Sequence, residues 1–206
     1  MRLVLWSMVF TAIVLIFWAE VSTPFVQKKH KVRPDAELPV HVTLYMDQEI
    51  AKDASHVAEA ALEWSNATNG EVVFDVAALP EEHIDPTKSI ILSHVTPEFP
   101  YIIVLDSLNQ NSTLAYCDRN AMLPYIALVT DRIDEDEFAS VMMHELGHYM
   151  GLEHPDSKEH PELGMGTLMY SNLTHGSNHI TQEDLEQFCR LHHCDASKYH
   201  GFPEVQ

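Results

Sequence analysis

The chain has 206 residues, of which 46 % are apolar and 21 % charged, a composition typical of a globular protein with a hydrophobic core. Its 12 Lys and Arg stand against 31 Asp and Glu, and the net charge of −19 excludes a nucleic-acid binder, because phosphate contacts need clustered cations. Three Cys are too few for a disulfide scaffold. The 14 His are numerous, and their spacing decides whether they bind a metal.

The first stretch of the chain is strongly apolar. Residues 3–19 carry no charge over 17 positions, which is short for a membrane span and slightly long for the apolar region of a signal peptide. Phe17 stands two places before Ala19, where a cleavage site needs a small residue, so an uncleaved anchor is favoured over a cleaved signal. We assign residues 1–20 to a transmembrane anchor or a signal peptide, and both alternatives remain open.

A basic, proline-containing linker follows over residues 21–37. The cations at positions 28–33 would keep the following domain in the cytoplasm according to the positive-inside rule. From residue 34 onward the chain has 7 Lys and Arg against 30 Asp and Glu, a net charge of −23 over 173 residues. We expect a solvated acidic surface on the globular part, residues 38–206; if a substrate cleft shares this acidity, it should favour basic peptides.

The globular part begins with a strand, a helix and a second strand. Residues 38–46 alternate apolar and polar side chains, which predicts a strand with one buried face. Asp47 is placed to cap a helix that ends at Asn69, and residues 71–77 predict the next strand. The helix has apolar residues at helical spacing: Ile50, Ala54, Val57, Ala58, Ala61 and Leu62.

Three more strands and two helices complete the predicted fold. The strands are expected at 101–105, 113–117 and 125–130. Asp134 and Glu137 have capping-box spacing for a helix that ends at Gly151, and Thr181 with Asp184 has the same spacing for a last helix. The order β-α-β-β-β-β-α-α predicts an α/β fold on one small sheet.

Residues 144–154 form the most informative motif of the chain, H-E-x-x-H-x-x-G-x-x-H. His144 and His148 are four apart on a predicted helix, so their rings lie one turn apart on the same face. Gly151 is able to adopt the left-handed conformation that ends a helix, and the chain then turns back to bring His154 in as a third ligand. Three histidines leave the fourth position of zinc to water, as a catalytic site requires.

Glu145 stands next to the first of these histidines. Zinc lowers the pKa of bound water to about 7, and a neighbouring carboxylate accepts the proton as water attacks a carbonyl, then delivers it to the leaving amine. The chain has no G-x-S-x-G motif, and Cys117 has no neighbouring histidine in the sequence. The motif therefore predicts a zinc-dependent endopeptidase that uses a zinc-activated water, with Glu145 as general base.

This motif resembles the zinc site of the metzincin metallopeptidases. Residues 164–170 resemble their Met-turn, with Met169 as the matching methionine, and the Leu-Met-Tyr sequence is most similar to the matrixin branch. The resemblance covers residues 38–194 and implies a zincin-like α+β fold, with a small twisted five-stranded mixed sheet, an active-site helix, a backing helix and a C-terminal helix. It also implies one catalytic zinc ion, with Gly151 and Met169 as structural residues of the site.

The same resemblance implies how a peptide or protein substrate would bind. The peptide would lie antiparallel to an edge strand of the sheet, which should be the strand at 113–117. Leu114 and Ala115 are then expected to contact the substrate, and Tyr170, in the loop 170–176, to form part of the cleft wall. We expect a monomer without a nucleic-acid partner, held at a membrane through residues 3–19 if that segment is uncleaved.

The chain also departs from the matrixin pattern. Pro155 follows the third histidine, where matrixins typically have Ser or Thr, and no tyrosine stands two places after Met169. Residues 24–37 contain no cysteine, so latency through a prodomain cysteine is not available to them. No segment rich in Gly and Asp precedes Leu114, so a calcium ion has no motif to support it.

Other residues carry weaker signals. Cys189 and Cys194 are five apart and would pair as a disulfide in an oxidising compartment. His83 and His94 are candidate ligands for a second metal, although ordinary loop histidines are the favoured interpretation. N-x-[ST] triplets, which matter only in a eukaryotic secretory pathway, begin at Asn66, Asn111 and Asn172.

Two other functions remain open from the sequence: a catalytically silent zinc module that binds peptides, and a zinc hydrolase of a non-peptide amide. The retained Glu145 disfavours the first, because a binding site needs no base, and the expected edge-strand cleft disfavours the second. The resemblance and the cysteine pair favour a location outside the cytoplasm, anchored or secreted. The basic residues at 28–33 argue against export, so the orientation stays open.

Overall fold

The computed structural model describes residues 37–78, 101–106, 113–120, 124–172 and 175–201. The predictions for residues 1–36, for His83 and His94, and for the Asn111 triplet lie outside these ranges. Among the described residues, none of the helices has the length and apolar character needed to cross a membrane.

Five short strands form one mixed sheet. They are β1 (Val40–Met46), β2 (Val72–Ala78), β3 (Tyr101–Asp106), β4 (Ala115–Asp118) and β5 (Tyr125–Leu128). Their order across the sheet is β2-β1-β3-β5-β4; β4 is antiparallel to β5, and the other neighbours are parallel. The segment at 113–117 thus supplies an edge strand, as predicted, and an edge strand is able to pair with another chain.

Three α-helices accompany the sheet within the described ranges: α1 (Ala54–Ala67), α2 (Phe138–Met150) and α3 (Gln182–His192). α1 packs against β2 and against α2, so it is the backing helix, and α2 carries the histidine motif. The five-stranded mixed sheet with three helices confirms the predicted fold class.

The buried face of β1 follows the predicted alternation. Val42 and Leu44 are buried while His41 is exposed, so one face of the strand joins the core. In β3, Ile102, Ile103 and Val104 are all buried, because a parallel strand inside a sheet is covered on both faces.

The first helix begins later than predicted, and the role given to Asp47 was wrong. Asp47 closes a turn, in which its carbonyl accepts the Ile50 N–H at 3.1 Å. A short 3-10 helix (Ala51–Asp53) follows, and α1 begins after Asp53 with no side-chain cap. The local spacing of an acidic residue before an apolar run did not distinguish a turn from a helix start.

The buried face of α1 also differs from the prediction. Ala58 is exposed, and Leu62 is 60 % exposed, so neither belongs to the core. Trp64 is buried instead, and its indole N–H donates to the Met143 carbonyl of α2 at 3.1 Å. The buried residues of α1 are therefore Val57, Ala60, Ala61, Trp64 and Ala67.

The predictions for the ends of the other helices were partly correct. Asp134 and Glu137 do not form a capping box, because the Glu137 N–H donates to the Asp134 carbonyl in a turn, and Glu137 precedes α2 without a side-chain cap. α2 does end at Gly151, and α3 begins with the predicted capping box of Thr181 and Asp184. A disulfide joins Cys189, in the last part of α3, to Cys194 just beyond the helix, which is the pairing considered from the sequence.

Candidate metal centre and its cleft

Three histidines from α2 and the loop after it bring their rings together. The Nε2 atom of His154 lies 3.0 Å from Nε2 of His144 and 3.0 Å from Nε2 of His148. The three ligand atoms all lie within 4.8 Å of one another, a spacing at which they could hold one metal ion. Gly151 makes this possible: its φ of 103° is left-handed, ends α2 and turns the chain back toward the helix.

The far nitrogens of two of these rings fix their tautomers. His144 Nδ1 lies 2.7 Å from the Leu168 carbonyl oxygen, and His148 Nδ1 lies 2.9 Å from the Leu152 carbonyl oxygen. A carbonyl only accepts, so each Nδ1 donates, and each neutral ring turns an unprotonated Nε2 toward the cluster.

This arrangement fits a cation. The Nε2 lone pairs of His144 and His148 both point at the Nε2 atom of His154. That atom carries at most one proton, so it is able to donate a hydrogen bond to only one of the two. A positive ion shared by all three nitrogens removes the remaining repulsion. Three neutral imidazole nitrogens with an open side are the donor set that zinc takes in catalytic sites.

Burial favours the neutral, metal-binding form of each ring. It lowers the pKa of His144 to about 4, with the neighbouring His148 charge acting in the same direction. Burial also lowers the pKa of His148 and of His154. The three rings are therefore neutral near pH 7, and neutral imidazole is the form that ligates.

Glu145 follows His144 on α2 and lines the same cleft. Its side chain is buried, and burial raises its pKa to about 8. Within the described part of the chain, its Oε2 atom has no hydrogen-bond partner. A buried carboxylate oxygen without a partner is costly, so its presence here points to a proton, a water or a ligand in the cleft.

Met169 packs against α2 at Gly147. It is buried, and a Cβ atom at position 147 would lie 2.5 Å from its Sδ atom. Gly147 therefore leaves the room that the methionine sulfur occupies. The sequence identified Met169 through its resemblance to a Met-turn but missed Gly147, which falls at an unspecified position of the motif.

Asp184 connects α3 to the same turn. Its buried carboxylate accepts the backbone N–H groups of Leu168 and Met169 at 2.9 and 3.1 Å, as well as the Thr181 N–H at 2.8 Å. Since the Leu168 carbonyl accepts from His144, one carboxylate supports a helix start, the methionine turn and a histidine ring. The sequence predicted only the cap, because the other bonds span 15 and 16 residues.

The loops after His154 are tied together near the cleft. The Asp156 carboxylate accepts the Ser171 N–H at 3.0 Å and the Ser171 hydroxyl at 2.6 Å. The Tyr170 hydroxyl donates to the Pro161 carbonyl at 2.5 Å, so its oxygen is engaged away from the histidines. The Tyr170 ring lines the cleft together with Ser171 and Asn172; residues 173 and 174 of the expected wall lie outside the described ranges.

The histidines open onto a cleft of about 820 Å³, with β4 along one side. Leu114 and Ala115, expected from the sequence to contact substrate, both line it. The Leu114 carbonyl accepts the Val129 N–H at 2.8 Å, so this oxygen is used inside the sheet. Because inward and outward groups alternate in an antiparallel ladder, the outward backbone groups of β4 belong to Ala115 and Cys117.

Cys117 is a free thiol on this strand. Burial raises its pKa well above the usual range, with the nearby Glu145 charge adding to the shift. The thiol therefore stays protonated near pH 7 and is a poor nucleophile. This agrees with the absence of a nucleophile motif in the sequence.

No protein-family model matches the chain, and neither does any curated protein sequence. Among solved structures, the chain is similar to archaemetzincin from Methanopyrus kandleri, with 19 % identity, 74 % of this chain and 94 % of that chain covered, and a TM-score of 0.48. It is also similar to myroilysin, with 21 % identity and a TM-score of 0.35; the match covers 63 % of this chain and 54 % of that chain. With both TM-scores below 0.5, neither similarity bears on the function of this chain.

Proposed function

We propose that this chain is a zinc-dependent endopeptidase of the metzincin type. The observation that carries the proposal is the convergence of three histidine Nε2 atoms beside a buried glutamate in one open cleft. The matrixin branch stays a prediction that rests on the sequence resemblance alone.

His144, His148 and His154 would hold the zinc ion. The Leu168 and Leu152 carbonyls orient the first two rings by accepting from Nδ1, which keeps each Nε2 available as a ligand. Zinc, when bound, supplies a Lewis acid that polarises the scissile carbonyl and acidifies the attacking water. Gly151 and Met169 would serve structural roles, one by turning the chain and the other by packing beneath α2.

Glu145 would move the proton. The ionised form of Glu145 acts as the base, and a pKa of about 8 leaves a fraction of this group ionised near pH 7. As water attacks the substrate carbonyl, this carboxylate accepts a proton from it; as the C–N bond breaks, the same group gives that proton to the leaving amine. The carboxyl group is buried and its Oε2 is unpartnered within the described residues, so no neighbouring side chain competes for that oxygen.

A peptide would bind as an added strand at β4. The outward N–H and C=O groups of Ala115 and Cys117 would pair with the substrate backbone. Leu114 and Tyr170 would contact its side chains from the walls of the cleft. Backbone pairing of this kind favours extended peptides over compact amides.

The test uses the full chain loaded with zinc and a library of quenched fluorescent peptides. Replacing Glu145 with Gln keeps the shape of the side chain but removes the base, so we expect cleavage to fall by about 10²- to 10⁴-fold. Zinc content, measured by mass spectrometry, should be unchanged. Glu186→Gln, an exposed glutamate on α3, is the matched control and should retain full activity.

Three outcomes would contradict the proposal. Undiminished cleavage by the Glu145→Gln variant would remove the assigned base. Zinc binding without cleavage of any peptide would favour the silent peptide-binding module. Hydrolysis confined to non-peptide amides would favour the other hydrolase.

We further propose that the globular part works outside the cytoplasm, anchored or secreted. The Cys189–Cys194 disulfide supports this location, because disulfides persist in oxidising compartments. Protease treatment of intact cells, combined with N-terminal sequencing of the product, should show an accessible globular part; full protection would place it inside.

A further inference from the structure

One positive charge lies in a cleft whose other charged groups are acidic. Arg119 follows β4 and lines the cleft, as do Glu137 and Glu153. Of the lysines and arginines in the described ranges, it is the one that lines this cleft. The chain carries a net charge of −23 from residue 34 onward, so Arg119 is a positive charge in a strongly acidic domain.

The backbone around Arg119 is held by a short-range hydrogen bond. The Asp118 carboxylate accepts the Asn120 N–H at 3.0 Å, which closes a turn around the arginine. This turn fixes the backbone from which the Arg119 side chain extends at the end of the edge strand.

The guanidinium is available to a ligand. It is half-buried and forms no ion pair with the described part of the chain. An arginine in this state binds carboxylates well, because its planar fork makes two parallel hydrogen bonds to them.

The strand direction indicates which part of a peptide would meet this charge. A peptide antiparallel to β4 runs from the Arg119 end of the strand toward Thr113. Its residues near Arg119 therefore come before those that pair with Cys117 and Ala115. The N-terminal part of the bound peptide would therefore lie next to the Arg119 guanidinium.

We infer that Arg119 is a specificity-determining residue that binds an acidic side chain in the N-terminal part of a peptide substrate. The inference rests on the proposed function, since it assumes a peptide in this cleft. It also modifies the expectation of a general preference for basic peptides: the acidic surroundings act at longer range and weaken in salt, whereas a direct arginine–carboxylate contact is local.

The test measures binding rather than turnover. Short fluorescently labelled peptides of Leu and Ala, with Asp, Asn or Lys placed at each position in turn, are titrated against the zinc-loaded full chain carrying Glu145→Gln. Fluorescence anisotropy should show one position in the N-terminal part at which Asp binds about tenfold more tightly than Asn, as expected for a charge-assisted bidentate pair. Lys at that position should bind more weakly than Asn.

Substitutions at position 119 identify the residue responsible. Arg119→Gln should abolish the preference for Asp, and Arg119→Glu should reverse it in favour of Lys. Arg119→Lys keeps the charge without the fork and should retain a reduced preference. Arg190→Gln, which removes an exposed arginine from α3, is the matched control and should leave the preference intact.

The outcomes separate this inference from the proposed function. If no position favours Asp, or if Arg119→Gln leaves the preference unchanged while circular dichroism and zinc content remain normal, the inference is wrong. If the preference follows Arg119 but the wild-type chain cleaves no peptide, the inference stands and the peptidase proposal fails. Absence of any peptide binding would overturn the inference.

Discussion

Two backbone carbonyls, those of Leu168 and Leu152, set the tautomers of the histidines on α2. The spacing of His144, His148 and His154 was sufficient to predict that these three residues would meet. It was not sufficient to predict which ring nitrogen carries the proton, because Leu168 is brought to His144 only by the tertiary fold. The identity of the ligands is encoded locally, and so is the orientation of His148 by Leu152, whereas the orientation of His144 depends on the distant Leu168.

A single-residue prediction concerns Gly147. Alanine inside a helix is ordinarily more stable than glycine by about 1 kcal/mol. Here the added Cβ would lie 2.5 Å from the Met169 sulfur, and overpacking typically costs about 1–3 kcal/mol, so we expect Gly147→Ala to lower the free energy of unfolding by up to about 2 kcal/mol instead of raising it. Urea denaturation measures this change.

The cause can be separated from a general helix effect by a double-mutant cycle. Met169→Ala removes the sulfur and leaves a cavity, and the variant with both substitutions should be more stable than the sum of the single effects predicts. A Gly147→Ala chain as stable as the wild type would show that the methionine moves away at little cost.

At the scale of elements, α3 is fastened to the metal centre through its own first turn. Asp184 serves the capping box and also accepts from Leu168 and Met169, so the helix start and the methionine turn share one carboxylate. The position of α3 and the orientation of His144 are therefore coupled.

Substitutions in this first turn should separate the two roles. Thr181→Ala loses the cap and should cost about 1 kcal/mol of stability, without changing zinc affinity. Asp184→Ala leaves three buried N–H groups without their acceptor, those of Leu168, Met169 and Thr181, so it should cost several kcal/mol more and weaken zinc binding about tenfold or more. Urea denaturation and competition with a chromophoric chelator provide the two measurements.

The exposed Glu183, also in the first turn of α3, supplies the control for these variants. Glu183→Ala should change stability by only a few tenths of a kcal/mol and leave zinc affinity as it is. Equal zinc affinities for Asp184→Ala and Thr181→Ala would show that the start of α3 does not influence zinc binding.

The elements differ in how well the sequence predicted them. The five strands and the end of α2 at Gly151 were predictable, because alternation and a helix-ending glycine are local signals. The buried face of α1 was not, since it depends on Trp64 packing against another helix, where the Met143 carbonyl accepts its indole N–H. Capping patterns gave one correct helix start, at Thr181, and two wrong ones, at Asp47 and Asp134, because the same residue types also close turns.

For the whole molecule, the dominant feature is its acidity. The net charge of −23 from residue 34 onward comes from 30 Asp and Glu against 7 Lys and Arg, so most of these carboxylates have no Lys or Arg with which to pair. The cleft contains one arginine within this negative field. The overall charge of the chain therefore attracts basic peptides, whereas Arg119 binds an acidic side chain. The composition was sufficient to predict the attraction of basic peptides, but the role of Arg119 became visible only from its position beside β4.

Excess negative charge repels itself within the folded chain, so its stability should depend on salt. The Debye length shortens from about 30 Å at about 0.01 M to about 3 Å at about 1 M salt, and over this range of NaCl we expect the melting temperature, measured with zinc held constant, to rise. KCl should act alike, because screening does not depend on the identity of the cation. A variant with four exposed glutamates replaced by glutamine (Glu49, Glu159, Glu183 and Glu186) should start from a higher melting temperature at low salt and respond less to added salt. A melting temperature that stays constant or falls with NaCl, or an equal response in the variant, would show that this acidity does not limit the stability of the fold.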